Sequence, residues 1–396
     1  MRRLLLFFLF DILLFQGLSG QPKYLKAPVI SESFIFPQQT KHVHGSSIVS
    51  LPNGDFLVAW FEGSGERTAD DVKIMGARLL KGSIKWSTPF LLADTPDLPD
   101  CNPVLFLNRN GKLFLVWVAV LANRWEYSIL RYKTSIDYLK DSTPIWNWQD
   151  NILLKPDERF ARVTVSQFKQ LPKQELAWSE FAHSYDTMII EASKDSRKSS
   201  IGWMTRIKPL LLENGRILLP LYSDGFNFSM LAISDNDGDT WHPSLPIISR
   251  GGIQPALARK RNGHITAFMR DNGDSPNRVQ MSESADKGET WSAAVKTEIP
   301  NAGSSVELLV LKNGKWAFIG NDVEDGRYRL SLYISEDEGN SWKYKTVLEK
   351  EEPGKGSFSY PSLIQTNDGI IHITYSYQLG NTGETIKYVV INPEKL

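Results

Sequence analysis

"SADKGETW", residues 284–291, is the stretch whose reading decides the fold. It has two near-copies, "SDNDGDTW" at 234–241 and "SEDEGNSW" at 335–342. One such octapeptide is a tight turn. Its Asp or Asn side chain bonds backbone amides and closes the loop, and its Gly takes a conformation that other residues resist. Three of them, spaced by about 50 residues, indicate an array of similar units. Strand-like apolar runs flank the turns, as in "ISDNDGDTWHPSLPI" and "YISEDEGNSWKYKTVL". The Trp is then placed to pack between neighbouring sheets, and the motifs are expected to lie far from any chemistry. "KGSIKWSTPF" at 81–90 reads as an eroded copy.

A second pattern counts the units. Asn-Gly or Asp-Gly between two apolar runs is a strong short-range hairpin signal, because these residues tolerate the positive φ of the favoured turns. It occurs six times: "LPNGDFLVAW" at 51, "LNRNGKLFLVW" at 107, "LLENGRILLPLY" at 211, "KRNGHITAFMR" at 260, "LKNGKWAFIG" at 311 and "TNDGIIHITYSY" at 366. Most intervals are roughly the 50–57 residues of one four-stranded blade. One interval is doubled, and it holds the Pro-broken stretch "DYLKDSTPIWNWQDNILLKPDERF" and the polar run "EASKDSRKSS". An insertion is expected around residues 135–200, within a single propeller domain spanning 21–396.

Composition sets the outer limits. Of the 396 residues 41% are hydrophobic and 23% charged, which is ordinary for a globular chain with a large core. Lys+Arg and Asp+Glu balance at 45 each, and no basic run interleaved with aromatics stands out, so no nucleic-acid partner is expected. Cys101 is the only cysteine, which excludes an intrachain disulfide and a Cys metal cluster. No HExxH, EF-hand loop or phosphate-binding Gly loop is present, so neither a metal nor a cofactor is expected. The N-terminus, "MRRLLLFFLFDILLFQGLSGQ", has a basic start, a short apolar run and small residues ending at Gly20. This reads as a signal peptide over residues 1–20, giving a secreted or periplasmic protein with no stable membrane span after cleavage.

The octapeptides match the Asp-box, Ser-x-Asp-x-Gly-x-Thr-Trp, with Asn236 at the Asp position of the first. Together with the six hairpin units they make the chain resemble the sialidase (neuraminidase) superfamily over roughly residues 40–392. That resemblance implies an all-β, six-bladed β-propeller whose partner is a glycan or acidic oligosaccharide.

The same resemblance nominates a site at one mouth of the central channel. The family holds its sugar's carboxylate with three arginines, whose planar guanidinium groups offer paired donors. Arg270 ends "IQPALARKRNGHITAFMR" at the place of the second arginine, and Arg327 precedes its Asp-box at the spacing of the third. Arg329 is the alternative to Arg327 by strand alternation. At the first arginine's place stands His44, in "HVHGSSIVSLPNG", with His42 on the same side of the strand. Arg67 can supply a third cation instead. Tyr360, in "SFSYPSLIQTNDG", matches the segment carrying the family's tyrosine nucleophile. The Glu that activates this tyrosine in the family is Gln254 here, and an amide cannot take a proton. Asp70 and Asp71, in "GERTADDVKIMGAR", lie in the loop comparable to that of the acid/base Asp, with Asp70 slightly favoured. Asn102, Arg206 and Lys208 open the second and third units and are placed to reach the channel mouth.

Three readings follow. The first is retaining hydrolysis of a terminal acidic sugar: Tyr360 attacks, Asp70 or Asp71 serves as acid and then base, and the arginines hold the carboxylate. The second is β-elimination at a uronic acid, for which Arg270, Arg327, His44 and Tyr360 supply cations, base and acid without a Glu. The third is a glycan- or protein-binding propeller without catalysis, to which the lost Glu and Arg point.

Overall fold

The computed structural model describes residues 22–140, 143–172 and 179–395, with the side chains of 179–184 left aside. The expected signal peptide lies outside the described residues, as do 141–142 and 173–178 of the expected insertion.

Six antiparallel sheets form the blades of a ring. In five of them four strands run outward from the centre in chain order. Blade I is His42–Ser50, Phe56–Gly63, Lys73–Leu79 and Phe90–Ala93. Blade II is Asp100–Leu107, Leu113–Val120, Ser128–Ser135 and Trp148–Asn151. Blade III has a broken inner strand, Met204–Thr205 and Leu210–Leu211, followed by Ile217–Ser223, Phe228–Ser234 and His242–Pro243. Blade IV is Gly252–Arg259, Ile265–Asp271, Arg278–Ser284 and Val295–Pro300. Blade V is Glu307–Val310, Trp316–Gly320, Arg329–Ser335 and Tyr344–Lys350, with Lys23–Tyr24 added in parallel at its edge.

Blade VI closes the ring. Its three C-terminal strands, Gly356–Gln365, Ile371–Leu379 and Glu384–Ile391, take their fourth from the other end of the chain, Val29–Phe34. The first and last blades are thereby joined by a full ladder of backbone hydrogen bonds, which removes an open sheet edge.

Each Asn-Gly or Asp-Gly turn joins the first and second strands of a blade, and each Asp-box joins the third and fourth. Strands alternate in direction, so both sets of turns lie on one face of the ring. The loops between second and third strands lie on the other face. In the box at 284–291, Asp286 Oδ1 accepts from the Thr290 amide at 2.9 Å, its Oδ2 accepts from the Thr290 hydroxyl at 2.6 Å, and Ser284 Oγ accepts from the Gly288 amide at 2.9 Å. Asn236 substitutes for Asp without loss of a bond: its Oδ1 accepts from the Thr240 amide and its Nδ2 donates to the Thr240 hydroxyl, both at 2.9 Å.

The boxes also couple neighbouring blades. Asn108 Nδ2 of blade II donates to the Asp237 carbonyl of blade III at 2.9 Å, and Arg216 of blade III donates to Glu289 of blade IV at 2.9 Å. Gly288 has φ +91°, and a Cβ there would press on Leu218 and Leu231 of the preceding blade. Trp342 meets Phe268 of blade IV and Phe318 of its own blade at ring separations of 5.9 and 5.4 Å. Such aromatic pairs contribute about 1 kcal/mol each beyond the area they bury.

Among the described residues three helices, Glu158–Phe168, Ser179–Ser193 and Ser196–Ser199, stand between the outer strand of blade II and the inner strand of blade III. The first starts at Asp157, whose side chain accepts from the Arg159 amide and caps an otherwise unsatisfied donor. Its Phe160 packs edge-on against Trp203 and Phe226, which ties the helical segment to blade III.

Candidate active site

The inner strands carry a shared irregularity that builds the site. In blades I, II, IV and VI the register slips between His44 and Ser47, Cys101 and Val104, Ile253 and Ala256, and Ser359 and Ser362. Each slip holds one residue with positive φ: Gly45 at 66°, Asn102 at 53°, Gln254 at 57° and Tyr360 at 55°. For a residue other than Gly this conformation costs roughly 1–2 kcal/mol. At Asn102, Gln254 and Tyr360 the bulge turns the side chain off the strand's normal alternation and into the channel mouth. Three of the four are followed by Pro103, Pro255 and Pro361, which have no amide to offer the ladder and suit a bulge.

The mouth is a pocket of about 540 Å³. Its walls include His44, Gln254, Arg270, Arg327 and Tyr360, so these five sequence candidates converge. Tyr360 is at the centre. Arg270 donates to its phenol oxygen at 2.7 Å. The Arg327 guanidinium lies 5.1 Å from its ring, and the His44 ring lies 4.0 Å away. The Gln254 amide faces the same phenol across the pocket.

Two tyrosines meet here with opposite electrostatics. Burial pushes the Tyr360 phenol up, but the Arg270 and Arg327 charges and the Gln254 amide outweigh it and hold the group below the ordinary tyrosine value. Tyr222 accepts from Asn102 Nδ2 at 3.0 Å, and burial with the nearby Asp224 charge pushes it well up. Tyr360 is thus the more acidic of the two phenols and Tyr222 the one that holds its proton more tightly, a separation of the kind that acid and base partners need. His44 is buried, and desolvation followed by the Arg327 charge keeps its imidazole neutral.

The remaining candidates occupy other places. His42 is behind the pocket, with Nδ1 3.0 Å from Glu384 and Nε2 3.4 Å from Glu66. Burial pushes it down, but these two carboxylates outweigh burial and raise it to about 9. Asp70 and Asp71 are exposed and do not line the pocket. Asp71 accepts from the Ser64 amide at 2.8 Å and hydroxyl at 2.6 Å, closing its own loop, while Asp70 accepts from Asn123 at 3.4 Å. The carboxylate that this loop delivers to the wall is Glu66. Arg67 does line the pocket, but it is engaged: it donates to Asp224 at 2.8 Å and stacks over Trp125 at 4.1 Å. Arg329 is paired with Asp322 at 2.7 Å and stands apart from the pocket. Arg206 is buried and Lys208 half-buried, and neither lines the pocket.

Sequence reasoning missed Glu66, Asp224, Tyr222 and Tyr185. The first three depend on which way a loop or strand end turns, and Tyr185 comes from the helix Ser179–Ser193. The recurring residue-Pro pairs at the inner strands were the signal for the bulges.

The family described as BNR repeat-like domain matches residues 54–205 and 184–373. The anhydrosialidase of Macrobdella decora is 26% identical over 181 residues, which is 41% of this chain and only 23% of that protein. Among solved structures, the intramolecular trans-sialidase from Ruminococcus gnavus superposes with a TM-score of 0.66 at 13% identity, over 93% of this chain and 99% of that one. The Hadza microbial sialidase Hz136 gives 0.64 at 15% identity, over 89% and 66%. A Dyadobacter fermentans protein of unknown function gives 0.66 at 14%, over 92% and 98%. These likenesses show the sialidase type of six-bladed propeller.

Proposed function

The chain belongs to the BNR repeat-like family, and from that premise we propose that it cleaves a terminal acidic sugar from a glycan, with Tyr360 as the nucleophile. The observation that carries the reading is the 2.7 Å hydrogen bond from Arg270 to the Tyr360 phenol, inside a pocket that Arg327 also enters. A neutral phenol attacks poorly, and the usual remedy is a neighbouring base. Here two guanidinium groups and the Gln254 amide favour the phenolate directly, so the loss of the Glu is compensated by charge.

In this scheme Arg270 and Arg327 hold the substrate carboxylate and Tyr360 Oη attacks the anomeric carbon. The Glu66 carboxylate passes to the leaving oxygen a proton drawn from the imidazolium of its partner His42, 3.4 Å away, and then takes one from the water that releases the product. The retained configuration follows from two successive displacements. With its leader removed, the protein would act outside the cytoplasm.

A β-elimination at a uronic acid is the second reading. The neutral His44, 4.0 Å from a phenol inclined to ionise, favours it. One experiment separates the two: turnover of a fluorogenic sialoside beside uronic-acid oligosaccharides, followed by released fluorophore and by ultraviolet absorbance. Sialoside cleavage abolished by Tyr360→Phe supports hydrolysis. A new absorbance from an unsaturated uronide, without sialoside cleavage, overturns it in favour of elimination. No turnover on either leaves a binding propeller.

A further inference from the structure

We infer that Arg206 is a positioning residue for Tyr360: a buried guanidinium that ties together the two bulges presenting His44 and Tyr360 and supports negative charge on the phenol from beneath. The inference rests on the reading of Tyr360 as a group that reacts as its anion.

Arg206 follows the short inner strand Met204–Thr205 of blade III, where that strand breaks. It is 2% exposed. One terminal nitrogen donates to the Ser46 carbonyl and the other to the Pro361 carbonyl, each at 3.3 Å. Both carbonyls belong to bulges. Ser46 lies in the slip that follows His44, and Pro361 lies in the slip that holds Tyr360. These two strands are the first and last inner strands of the ring, packed against each other across its closure. A planar fork with donors at both tips can span two strands in this way, and a point-charge ammonium cannot.

The charge has a second consequence. The Arg206 guanidinium carbon lies 4.9 Å from the centre of the Tyr360 ring, on the buried side. Complete burial of a guanidinium is costly unless something negative answers it. Glu307 is the neighbouring carboxylate, but Lys208 stands 3.8 Å from it and shares its charge. The Arg206 Nε has no hydrogen-bond partner among the described residues. A neutral amide would serve two carbonyls as well. A cation at this place is accounted for if Tyr360 carries negative charge during the reaction. The first arginine of the family's triad is missing from the wall, and a guanidinium from blade III reaches the same tyrosine through the floor.

The groups facing the Tyr360 phenol are His44 and Glu66 from blade I, Tyr222 from blade III, Gln254 and Arg270 from blade IV, and Arg327 from blade V. Arg206 itself faces Glu307, Tyr360, Tyr222 and Arg270.

The test is a direct titration of Tyr360 in the full-length protein labelled with ¹³Cζ-tyrosine. The Tyr360 resonance is assigned by its loss in Tyr360→Phe. Wild type is compared with Arg206→Met and Arg206→Lys, with circular dichroism as the check on folding. The expected result is a higher titration midpoint in both variants, larger for Met. On any acidic glycoside that wild type turns over, kcat/KM falls about 100-fold in Arg206→Met, and the acidic limb of its pH profile moves to higher pH. Folded variants that titrate at the wild-type midpoint overturn the inference. Should Arg206→Met not fold, the Lys variant decides: a raised midpoint supports the role and an unchanged one overturns it. Absence of turnover in wild type counts against the glycosidase reading alone, because the titration needs no substrate.

Discussion

The phenol oxygen of Tyr360 accepts a hydrogen bond from Arg270 at 2.7 Å, across 90 residues of sequence and two blades of the ring. That contact makes the phenol anion-prone without a carboxylate base. Tyr360→Phe removes the nucleophile and leaves the fold in place, because the ring keeps its packing. We expect kcat/KM to fall about 10³-fold or more with an unchanged melting temperature to within a few degrees. Steady-state kinetics on a cleaved glycoside, beside thermal melting, checks it.

Glu66, and not its exposed neighbours, is expected to handle the proton of the leaving oxygen. Glu66→Gln keeps the shape and should lower kcat about 10²-fold or more. Asp70→Asn and Asp71→Asn should each change it less than about tenfold, since neither side chain lines the pocket. A larger loss in either Asp variant than in Glu66→Gln would reverse the assignment.

His42 makes stability fall on the alkaline side. Its folded value, about 9, is above its ordinary 6.5. A group raised in the folded state stabilises fully below its unfolded value and loses that contribution as pH rises through the folded value. The window is therefore pH 6.5 to 9, and the shift corresponds to about 3 kcal/mol at its lower end. Urea denaturation at pH 6 and at pH 9.5 should show a large gap between wild type and His42→Gln that narrows at the higher pH. A gap independent of pH would refute the charged pairing with Glu384 and Glu66.

The Asp-box at 284–291 is expected to act on stability alone. Asp286→Ala removes three hydrogen bonds that close the turn, a loss of about 1–3 kcal/mol. Gly288→Ala forces a Cβ onto a residue at φ +91° and against Leu218, and should cost at least as much. Both variants, assayed below their melting temperatures, should keep kcat and KM, since the turn lies on the face opposite the pocket. A selective loss of kcat would show that the two faces communicate.

The six hairpin turns were legible because Asn-Gly and Asp-Gly report a local backbone demand. All six fall between the first and second strands of their blades. The Asp-boxes were equally legible, Asn236 included, since a side-chain amide meets the same turn amides as a carboxylate. The convergence of His44, Gln254, Arg270, Arg327 and Tyr360 also followed from motif and spacing, by resemblance to a family. The misplacements share one cause. In "GERTADD" three acidic residues occur within six positions, and only the loop's path selects Glu66 for the pocket while Asp71 turns back to Ser64. Arg67 lines the pocket, but its charge is taken by Asp224, 157 residues away.

The sequence by itself determined the architecture. Turn chemistry and strand length are local properties, repeated six times, and a repeat that cannot bury its own faces must stack into a ring. It also determined that no intrachain disulfide holds that ring, because Cys101 is alone. Only the tertiary structure decided the electrostatics of the site. Whether Tyr360 ionises, His44 stays neutral and His42 is charged depends on burial and on partners that come from other blades. Arg206, hidden in sequence as one more cation opening a strand, gains its role from two carbonyls 160 and 155 residues away. Charge acts over a few ångströms in a medium of low polarity, and such distances are set by the closure of the ring and not by position along the chain.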